Sequence, residues 1–335
     1  MDLVDRLRLD VPVVQAGMGG GVAGSRLAGA VAAAGGLGTL GLTSPTALRR
    51  AIDEVRTRAP GRAAAVNLLM PFVRRGHVDT CIRERIDVAV LFFGGDRDLV
   101  DRLREAGVFV LAQVGTESQA CEALHWGADG LIAQGRQAGG HLLGVEPALD
   151  FLPRVLARAA GRPVMVAGGI ASAADTEMAL EAGASAVVAG TRFLLTTESA
   201  AHPDYKERVL HASNTVETTL FGFGWPAARH RVIENASTRR WCRAGGRPGV
   251  VPRLFNAVST PLARVVPERV SAVLPRYQRS WFPLLAPAPP LLGMPDSAVD
   301  SGPLYAGESA LRITEIISAR QAVDELSGRG SGGPG

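Results

Sequence analysis

The stretch Ala133-Gln134-Gly135-Arg136-Gln137-Ala138-Gly139-Gly140-His141-Leu142-Leu143-Gly144 decides how the rest of the sequence is interpreted. It follows Gly130-Leu131-Ile132, an apolar run typical of a buried strand, and its four glycines are incompatible with the interior of a helix or strand. We therefore expect a loop at the end of a strand, with backbone N–H and C=O groups that side chains do not cover. Its histidine, His141, titrates near neutral pH and could exchange protons with a planar ligand lying on the glycines. The alternative is a glycine-rich turn with an incidental histidine.

Short apolar strands alternate with helical stretches on both sides of this loop. Eight strands are predicted, at Val11–Gln15, Gly38–Leu42, Ala63–Leu69, Asp87–Phe93, Val108–Val114, Gly130–Ile132, Pro163–Ala167 and Ala186–Ala189. Each strand needs a crossover to a parallel neighbour, and eight such units predict an α/β fold of the closed (β/α)8 TIM barrel type. An open doubly wound sheet is the alternative, because Gly19–Gly24 matches the GxGxxG pattern of dinucleotide-binding folds. The next strand ends without the acidic residue that would hold a ribose, which favours the barrel.

The alternation stops after residue 191, and we expect four segments. Residues 1–195 form the barrel, and residues 196–300 form an inserted, mainly helical or irregular lid domain that contacts the substrate. Helical periodicity resumes at Gly307–Leu326, so residues 301–326 are expected to return to the barrel as its last helix. Residues 327–335 are expected to form a disordered tail.

Composition and cysteine usage indicate a cytoplasmic protein. A chain of 335 residues with 47% hydrophobic residues can bury a large core, which excludes a mostly disordered protein. Its three cysteines, Cys81, Cys121 and Cys242, share no metal-ligand spacing and fit a reducing compartment. The sequence shows neither a signal peptide nor an apolar run long enough to cross a bilayer, so we expect no membrane partner.

Arginine is locally in excess between Arg229 and Arg253, although the whole chain has a net charge of only +4. The members of this cluster are Arg229, Arg231, Arg239, Arg240, Arg243, Arg247 and Arg253. Nucleic-acid grooves interleave aromatic rings with such charges, and here Trp241 stands alone, so we expect no nucleic-acid partner. The cluster is interpreted either as a solvated face or as a site for the anionic tail of a substrate.

Two glycine-rich turns are the strongest candidates for a ligand contact. Gly168-Gly169 follows the seventh predicted strand, and Gly190-Thr191 follows the eighth. Barrel enzymes commonly bind a phosphate at these two strand ends, where backbone N–H groups are available. The pair therefore predicts a phosphate site, and tight turns without a ligand are the alternative.

Three amides lie on or near other strand ends, namely Asn67, Gln113 and Gln134. Amides suit the pyrimidine edge of a flavin, which offers both donors and acceptors, although a structural role is the alternative for each amide taken alone. Motifs for a serine nucleophile, a Walker loop or an HExxH metal site are absent from the sequence. A chain with one candidate base and no nucleophile is expected to borrow its reactivity from a cofactor.

Several stretches, in the same order, resemble the nitronate monooxygenase (2-nitropropane dioxygenase) family of FMN-dependent barrels. The matching stretches are Val14–Gly24, Ala33–Gly38, Asn67, Gln134–His141, Ala167–Ile170, Ala189–Phe193 and Tyr305–Ser309. Flavin-dependent enoyl-acyl-carrier-protein reductases and NADH:quinone reductases share the loop Ala138–His141, so the motifs are less specific for the reaction than for the superfamily.

The resemblance implies roles for individual residues. It makes His141 the catalytic base, and it implies no metal. The cofactor-binding residues that we expect are Gly17, Met18, Gly19, Asn67, Gln113, Gln134, Gly139 and Gly140 around the isoalloxazine ring of FMN, and Gly168, Gly169, Gly190 and Thr191 at its phosphate. The family usually has a glutamate where this chain has Gln137, so a function that needs a carboxylate there is in doubt, whereas a hydrogen-bonding role survives.

The function that the resemblance favours is nitronate monooxygenase. His141 would take a proton from the carbon next to a nitro group, and oxidation with O2 would yield a carbonyl compound and nitrite. The alternative is an FMN-dependent NAD(P)H reductase of an enoyl thioester or quinone, with the arginine-rich segment receiving a phosphate-bearing carrier. A third hypothesis is a barrel that binds a phosphorylated ligand without turnover. The substrate would be a small molecule, a nitronate or another anion, and a homodimer is compatible with the sequence.

Overall fold

Strands and helices alternate along the chain in this computed structural model, which describes residues 3–265 and 275–329. The strands, in chain order, are β1 (Val13–Gln15), β2 (Gly38–Leu40), β3 (Ala64–Leu69), β4 (Val88–Phe92), β5 (Phe109–Val114), β6 (Gly130–Gln134), β7 (Gly140–His141), β8 (Val164–Ala167), β9 (Ala186–Ala189), β10 (Val216–Thr218), β11 (His230–Ile233) and β12 (Leu304–Tyr305). Helices around them are α1 (Leu3–Leu7), α2 (Ser25–Ala33), α3 (Pro45–Arg58), α4 (Arg75–Arg83), α5 (Arg97–Glu105), α6 (Glu117–Trp126), α7 (Ala148–Ala159), α8 (Ala173–Glu181), α9 (Thr191–Leu194), α10 (Pro203–Leu210), α11 (Ala236–Trp241), α12 (Val250–Val265), α13 (Ser297–Ser301) and α14 (Ala319–Ser327).

Eight of these strands form a parallel barrel. They follow the order β1-β9-β8-β6-β5-β4-β3-β2, and a parallel bridge between Val14 and Leu37 brings the two ends of the sheet together. At this seam the Leu37 N–H donates to the Val13 carbonyl and the Gln15 N–H donates to the Leu37 carbonyl, both at 2.9 Å. The predicted (β/α)8 TIM barrel is therefore confirmed, and the open doubly wound sheet is excluded.

Several strand ends differ from the prediction by one or two residues, and local contacts explain two of them. β2 ends at Leu40 instead of Leu42, because the Gly41 N–H donates to the Ala23 carbonyl at 2.9 Å and turns the chain away from the sheet. β6 continues to Gln134 instead of ending at Ile132, since its last residue pairs with Ala167 of β8. Gln134 therefore lies in a barrel strand and not in the loop that follows.

Apolar side chains of the described strands fill the barrel interior. Val14, Ile132 and Met165 belong to one buried cluster, which α1 joins through Leu3 and Leu7. Helices cover the outside with faces of regular helical spacing, and each fully buried leucine, isoleucine or valine contributes about 1.5–3 kcal/mol relative to an exposed one. The packed interior is a scaffold that fixes the strand ends in space.

A second, antiparallel sheet joins the 196–300 segment to the barrel. β11 lies at its centre and pairs with β7, β10 and β12. The expectation of bare backbone throughout the loop after β6 is therefore wrong for two residues, because Gly140 pairs with Arg231 and His141 with His230. The partner strand β11 is about ninety residues away in sequence, so no local sequence pattern predicts this pairing. The division into segments 1–195, 196–300 and 301–326, and a lid function for the second, stay predictions.

The C-terminal helix is shorter than predicted. Residues Glu308–Arg312 form a 3-10 turn, and α14 begins only after Ser318, which forms a capping box with Gln321. The prediction of a helix over Gly307–Leu326 is wrong in its first half, because the Gly307 N–H is bonded to the Thr191 hydroxyl instead of to a helical turn. α14 packs against α2 and α8 and so completes the helical layer beside the seam.

The predicted tail begins inside this helix. Ser327 is the last residue of α14, Gly328 follows it in the left-handed conformation, and Arg329 donates to the Asp10 carbonyl at 2.6 Å. Residues 330–335 lie outside the described residues. Among the helices of the described chain, none has both the length and the apolarity required to span a membrane.

Candidate active site

A cavity of about 360 Å³ lies at the carboxyl ends of the barrel strands. Its volume falls within the range of roughly 300–1,000 Å³ that is typical of small-molecule sites. All thirteen predicted site residues line it: Gly17, Met18, Gly19, Asn67, Gln113, Gln134, Gly139, Gly140, His141, Gly168, Gly169, Gly190 and Thr191. The structure therefore brings His141 and the two glycine turns, which are distant in sequence, to one place.

The cavity is polar without being charged. Its lining includes six further polar side chains that the sequence did not single out as site residues: Gln15, Thr39, Gln137, Tyr205, Tyr305 and Ser309. No aspartate, glutamate, lysine or arginine lines it in the part of the chain that the structure describes. An anionic ligand would be held there by neutral N–H and O–H donors and not by ion pairs.

The two glycine turns leave backbone donors free. In residues 3–265 and 275–329, the N–H groups of Gly168, Gly169 and Gly190 have no hydrogen-bond acceptor. Gly168 and Gly169 have φ values of +112° and +82°, a region that favours glycine, and a Cβ on Gly168 would lie 3.0 Å from the Ala138 nitrogen. Unbonded N–H groups on a cavity wall are suited to the oxygens of a phosphate.

Arg312 and Asp175 support this wall from outside. Arg312 donates to the Gly169 carbonyl and also to Asp175, at 2.8 Å from Oδ1. Burial raises the pKa of the Asp175 carboxyl, but the hydrogen bonds from Arg312 and from the Ala171 N–H outweigh that effect and lower the pKa overall. The pair therefore stays ionised and fixes the carbonyl side of the turn, which leaves its N–H side for a ligand.

Two of the three predicted amides are available to a ligand. The side chains of Asn67 and Gln113 line the cavity and form no hydrogen bond within the described residues. Asn67 is 95% buried in spite of this, because Gly17 has no side chain, and a Cβ on Gly17 would lie 2.2 Å from the Asn67 Cβ. Amides that face the cavity without a protein partner are available to bond a polar ligand.

The third amide, Gln134, is already committed to the loop. Its Oε1 accepts from the N–H groups of Leu143 and Gly144, at 2.7 and 3.3 Å, and its Nε2 donates to the His141 carbonyl at 3.0 Å. Gln134 lines the cavity, and its Oε1 and one of its two Nε2 hydrogens hold the histidine loop. A contact of the second Nε2 hydrogen with a cofactor stays a prediction. Its observed role is to position His141.

His141 lies in a cluster of aromatic rings. Its ring is stacked on Trp225, with centroids 4.5 Å apart and an angle of 23° between the planes, and it contacts His230 and Tyr305 at 5.4 Å each. Burial, and secondarily the neighbouring His230, hold the pKa of His141 well below its usual value of 6.5. The imidazole is therefore neutral at physiological pH, and its ring nitrogens form no hydrogen bond to the described residues. A neutral imidazole facing a cavity can accept a proton.

His230 is a structural histidine. It is fully buried, its Nδ1 lies 3.0 Å from the Ala228 carbonyl, and the Phe221 N–H points to its Nε2 at 3.4 Å. These contacts assign the proton to Nδ1, and burial lowers the pKa to about 4. His230 and Trp225 come from the 196–300 segment, and only the long-range pairing of β7 with β11 brings them beside His141.

Two arginines of the predicted cluster also hold the histidine loop. Arg229 donates to Glu217 at 2.8 Å and to the Gly144 carbonyl at 3.0 Å, and Arg231 donates to the Arg136 carbonyl at 2.8 Å. Neither is part of a free solvated face. Gln137, the position of the usual glutamate, keeps a hydrogen-bonding role, since its Oε1 accepts from the Ala148 N–H at the start of α7.

The cavity is closed on one side by residues that sequence reasoning missed as site residues. Pro287, Ala288 and Pro289 line it, together with Tyr205 and Tyr305. The Tyr205 hydroxyl donates to the Tyr305 carbonyl at 2.5 Å, and the Tyr305 hydroxyl donates to the Pro287 carbonyl at 2.8 Å. The match of Tyr305–Ser309 to the family pattern was the one signal in the sequence that pointed to this wall.

The chain is similar to a known protein family and to individual known proteins. The sequence model of the family described as nitronate monooxygenase matches residues 2–72 and 59–328. A (3aS,4S,5R,7aS)-5-hydroxy-7a-methyl-1-oxo-octahydro-1H-indene-4-carboxyl-CoA dehydrogenase of Mycobacterium tuberculosis is 33% identical over 97% of this chain and 94% of that protein. A nitronate monooxygenase of Pseudomonas aeruginosa is 32% identical over 60% of this chain and 71% of that protein.

Among solved structures, a nitroalkane oxidase of Streptomyces ansochromogenes superposes with a TM-score of 0.76 at 26% identity. The superposition covers 97% of this chain and 96% of that one. The family match extends over most of the chain, including every residue of the cavity. This chain is an oxidoreductase that belongs to the nitronate monooxygenase family.

Proposed function

We propose that this chain is an FMN-dependent oxidoreductase that acts on a CoA thioester, with His141 as the proton acceptor. The observation that carries the proposal is the similarity to the carboxyl-CoA dehydrogenase of M. tuberculosis, which extends over 97% of this chain. The match to the nitronate monooxygenase of P. aeruginosa covers 60%. The longer match takes in the 196–300 segment, which supplies two of the rings beside His141, those of Trp225 and His230.

The cavity residues fit FMN. The unbonded N–H groups of Gly168, Gly169 and Gly190 would hold the phosphate, and the unpartnered amides of Asn67 and Gln113 would bond the polar edge of the isoalloxazine ring. Gly17, Met18, Gly19, Gly139, Gly140 and Thr191 would complete the cofactor site. FMN, when bound, supplies the two-electron acceptor that the side chains themselves lack.

His141 would act on the substrate. Its neutral ring takes the proton from the carbon next to the thioester carbonyl while that carbon and its neighbour are oxidised. Gln134 and the β7–β11 pairing hold the backbone of His141, and the Trp225 ring covers one of its faces, which fixes the imidazole and excludes water from that side.

Nitronate oxidation is the second candidate function. The family match and the superposition on a nitroalkane oxidase favour it. Both candidate reactions need a proton acceptor at the same place. In nitronate oxidation His141 would take a proton from the carbon next to a nitro group, and O2 would be the co-substrate. The two candidates differ in the size of the substrate: a CoA thioester needs a second binding region outside the cavity, and a small nitronate does not.

The proposal is tested by anaerobic reduction of the purified, FMN-loaded protein. We expect CoA thioesters of saturated acids to bleach the flavin absorbance and the His141→Asn variant to bind FMN without bleaching. Bleaching by alkyl nitronates alone would favour the second candidate, and bleaching by NADH alone would favour a reductase. A protein that takes up no FMN would contradict all three.

A further inference from the structure

A second, smaller cavity lies on the 196–300 segment. Its volume is about 300 Å³, and its lining consists of Tyr277, Gln278, Arg279, Trp281, Phe282 and Leu284. We call it the aromatic pocket. Tyr277 and Trp281 are 71% and 63% exposed, although large aromatic side chains in a soluble protein are normally covered.

The aromatic pocket is next to the active-site cavity. Leu284 lines the pocket, and Pro287, three residues later, lines the active-site cavity. Three residues of fully extended chain span at most roughly 11 Å. The segment Leu284–Pro287, which we call the strap, therefore joins the two cavities over a short distance. The Tyr305 hydroxyl bonds the Pro287 carbonyl at 2.8 Å and fixes one end of this strap.

Buried contacts hold the pocket in shape. Gln278, which is 95% buried, donates through Nε2 to the Ser301 carbonyl and accepts through Oε1 from the Ala286 N–H at 2.8 Å. Phe282 lies against Trp281, with ring centroids 6.0 Å apart, and against Phe255 of α12 at 5.7 Å. The rings are therefore preorganised to receive a planar ligand.

The sequence on both sides of the pocket residues is strongly basic. Residues 236–265 and 275–295 contain eight arginines and no aspartate or glutamate, so this part of the sequence is far more positive than the chain as a whole. Arg279 donates to the Gln278 carbonyl at 3.0 Å, and within the described residues no carboxylate lies within ion-pair distance of it. A guanidinium group without a carboxylate partner beside exposed rings attracts ligands that combine phosphates with a flat base.

We propose that the aromatic pocket binds the adenine nucleotide end of the CoA thioester. The adenine ring stacks on Trp281 or Tyr277, Arg279 contacts the phosphates, and the flexible pantetheine arm follows the strap to the cavity that contains His141. The identity of the ligand as CoA rests on the proposed function. The same pocket chemistry would suit the adenine nucleotide of NADPH, which carries its extra phosphate on the 2′ and not the 3′ oxygen.

The test uses adenosine 3′,5′-bisphosphate, which has the nucleotide of CoA without the arm or the thioester. We expect the FMN-loaded protein to bind it in equilibrium dialysis, more weakly as salt is added. Trp281→Ala should weaken binding roughly 5- to 100-fold, the range for loss of one base-stacking contact, and Trp281→Phe should restore most of it. Arg279→Ala should weaken it roughly tenfold, and the matched control Arg49→Ala, an exposed arginine of α3, should leave it unchanged.

Further measurements distinguish CoA from NADPH as the ligand, and they test the pocket separately from the proposed function. A preference for the 3′,5′- over the 2′,5′-bisphosphate supports CoA, and the opposite preference overturns the assignment in favour of NADPH. In steady-state assays Arg279→Ala should raise KM for a CoA thioester but not for the matching pantetheine thioester. Absence of nucleotide binding to the wild type, or binding that neither variant changes, overturns the proposal. Nucleotide binding without thioester oxidation supports the pocket and overturns the proposed function alone.

Discussion

Replacing Gln134 by leucine should separate the two roles that amides have in this cavity. Leucine has a comparable volume but leaves the N–H groups of Leu143 and Gly144 and the carbonyl of His141 without the partner that Gln134 provides. Each hydrogen bond contributes about 0.5–1.5 kcal/mol net, so three bonds around a side chain that is 97% buried predict a loss of about 2–4 kcal/mol in the free energy of unfolding. Because the same bonds position His141, turnover should fall as well.

Gln113→Leu is the matched control. Gln113 lines the same cavity but forms no hydrogen bond within the described residues, so its replacement should change the free energy of unfolding of the FMN-free protein by less than about 1 kcal/mol. It should instead weaken FMN binding, because an unpartnered amide is lost from the cofactor site. Gln134→Leu is thus expected to lower stability, and Gln113→Leu is expected to weaken FMN binding.

Urea denaturation of the FMN-free proteins measures the first effect, and fluorescence titration with FMN measures the second. The reasoning would be refuted if Gln113→Leu destabilised the FMN-free protein as much as Gln134→Leu. It would also be refuted if Gln134→Leu left stability unchanged and only weakened FMN binding, since its amide would then be a ligand contact and not a support for the loop.

Three further predictions concern His141, its neighbour His230, and Gly19, which lines the cavity. His141→Gln should lower kcat by at least about 10²-fold with FMN affinity preserved, and the wild-type kcat/KM should be flat around neutral pH and fall only well below pH 6.5, where the imidazole becomes protonated. Because the pKa of His230 is lowered to about 4 in the folded chain, the unfolded chain binds the extra proton between pH 6.5 and 4, and stability should decrease on acidification by about 1.4 kcal/mol per pH unit. Chemical denaturation of His230→Gln across that range should show a shallower slope than the wild type. A Cβ on Gly19 meets no atom within 4 Å, so Gly19→Val should fill cavity space and weaken FMN binding more than tenfold, with a urea midpoint close to that of the wild type.

The barrel and most of its site could be predicted because their signals are local. Apolar runs ended by glycines, such as the one before Gly168, mark the carboxyl ends of strands, and the carboxyl ends of all strands in a parallel barrel meet at one face. This is why residues as distant as Gly17 and Thr191 were correctly grouped. The order of the motifs then supplied the family.

The parts that could not be predicted depend on contacts between distant residues. The pairing of β7 with β11 brings Trp225 and His230 to His141, and nothing in the composition of either stretch requires it. Gln134 lines the cavity, but its hydrogen bonds to the histidine loop could not be predicted, because an amide of the same type can bond a ligand or its own loop. Periodicity alone extended the last helix back to Gly307, whose N–H is in fact held by Thr191.

A crystal structure of the chain with FMN tests the central claim most directly. We predict that the phosphate oxygens lie about 2.7–3.2 Å from the backbone nitrogens of Gly168, Gly169 and Gly190, with the isoalloxazine ring between Asn67 and His141. A flavin bound elsewhere, or a phosphate that avoids both glycine turns, would contradict the account.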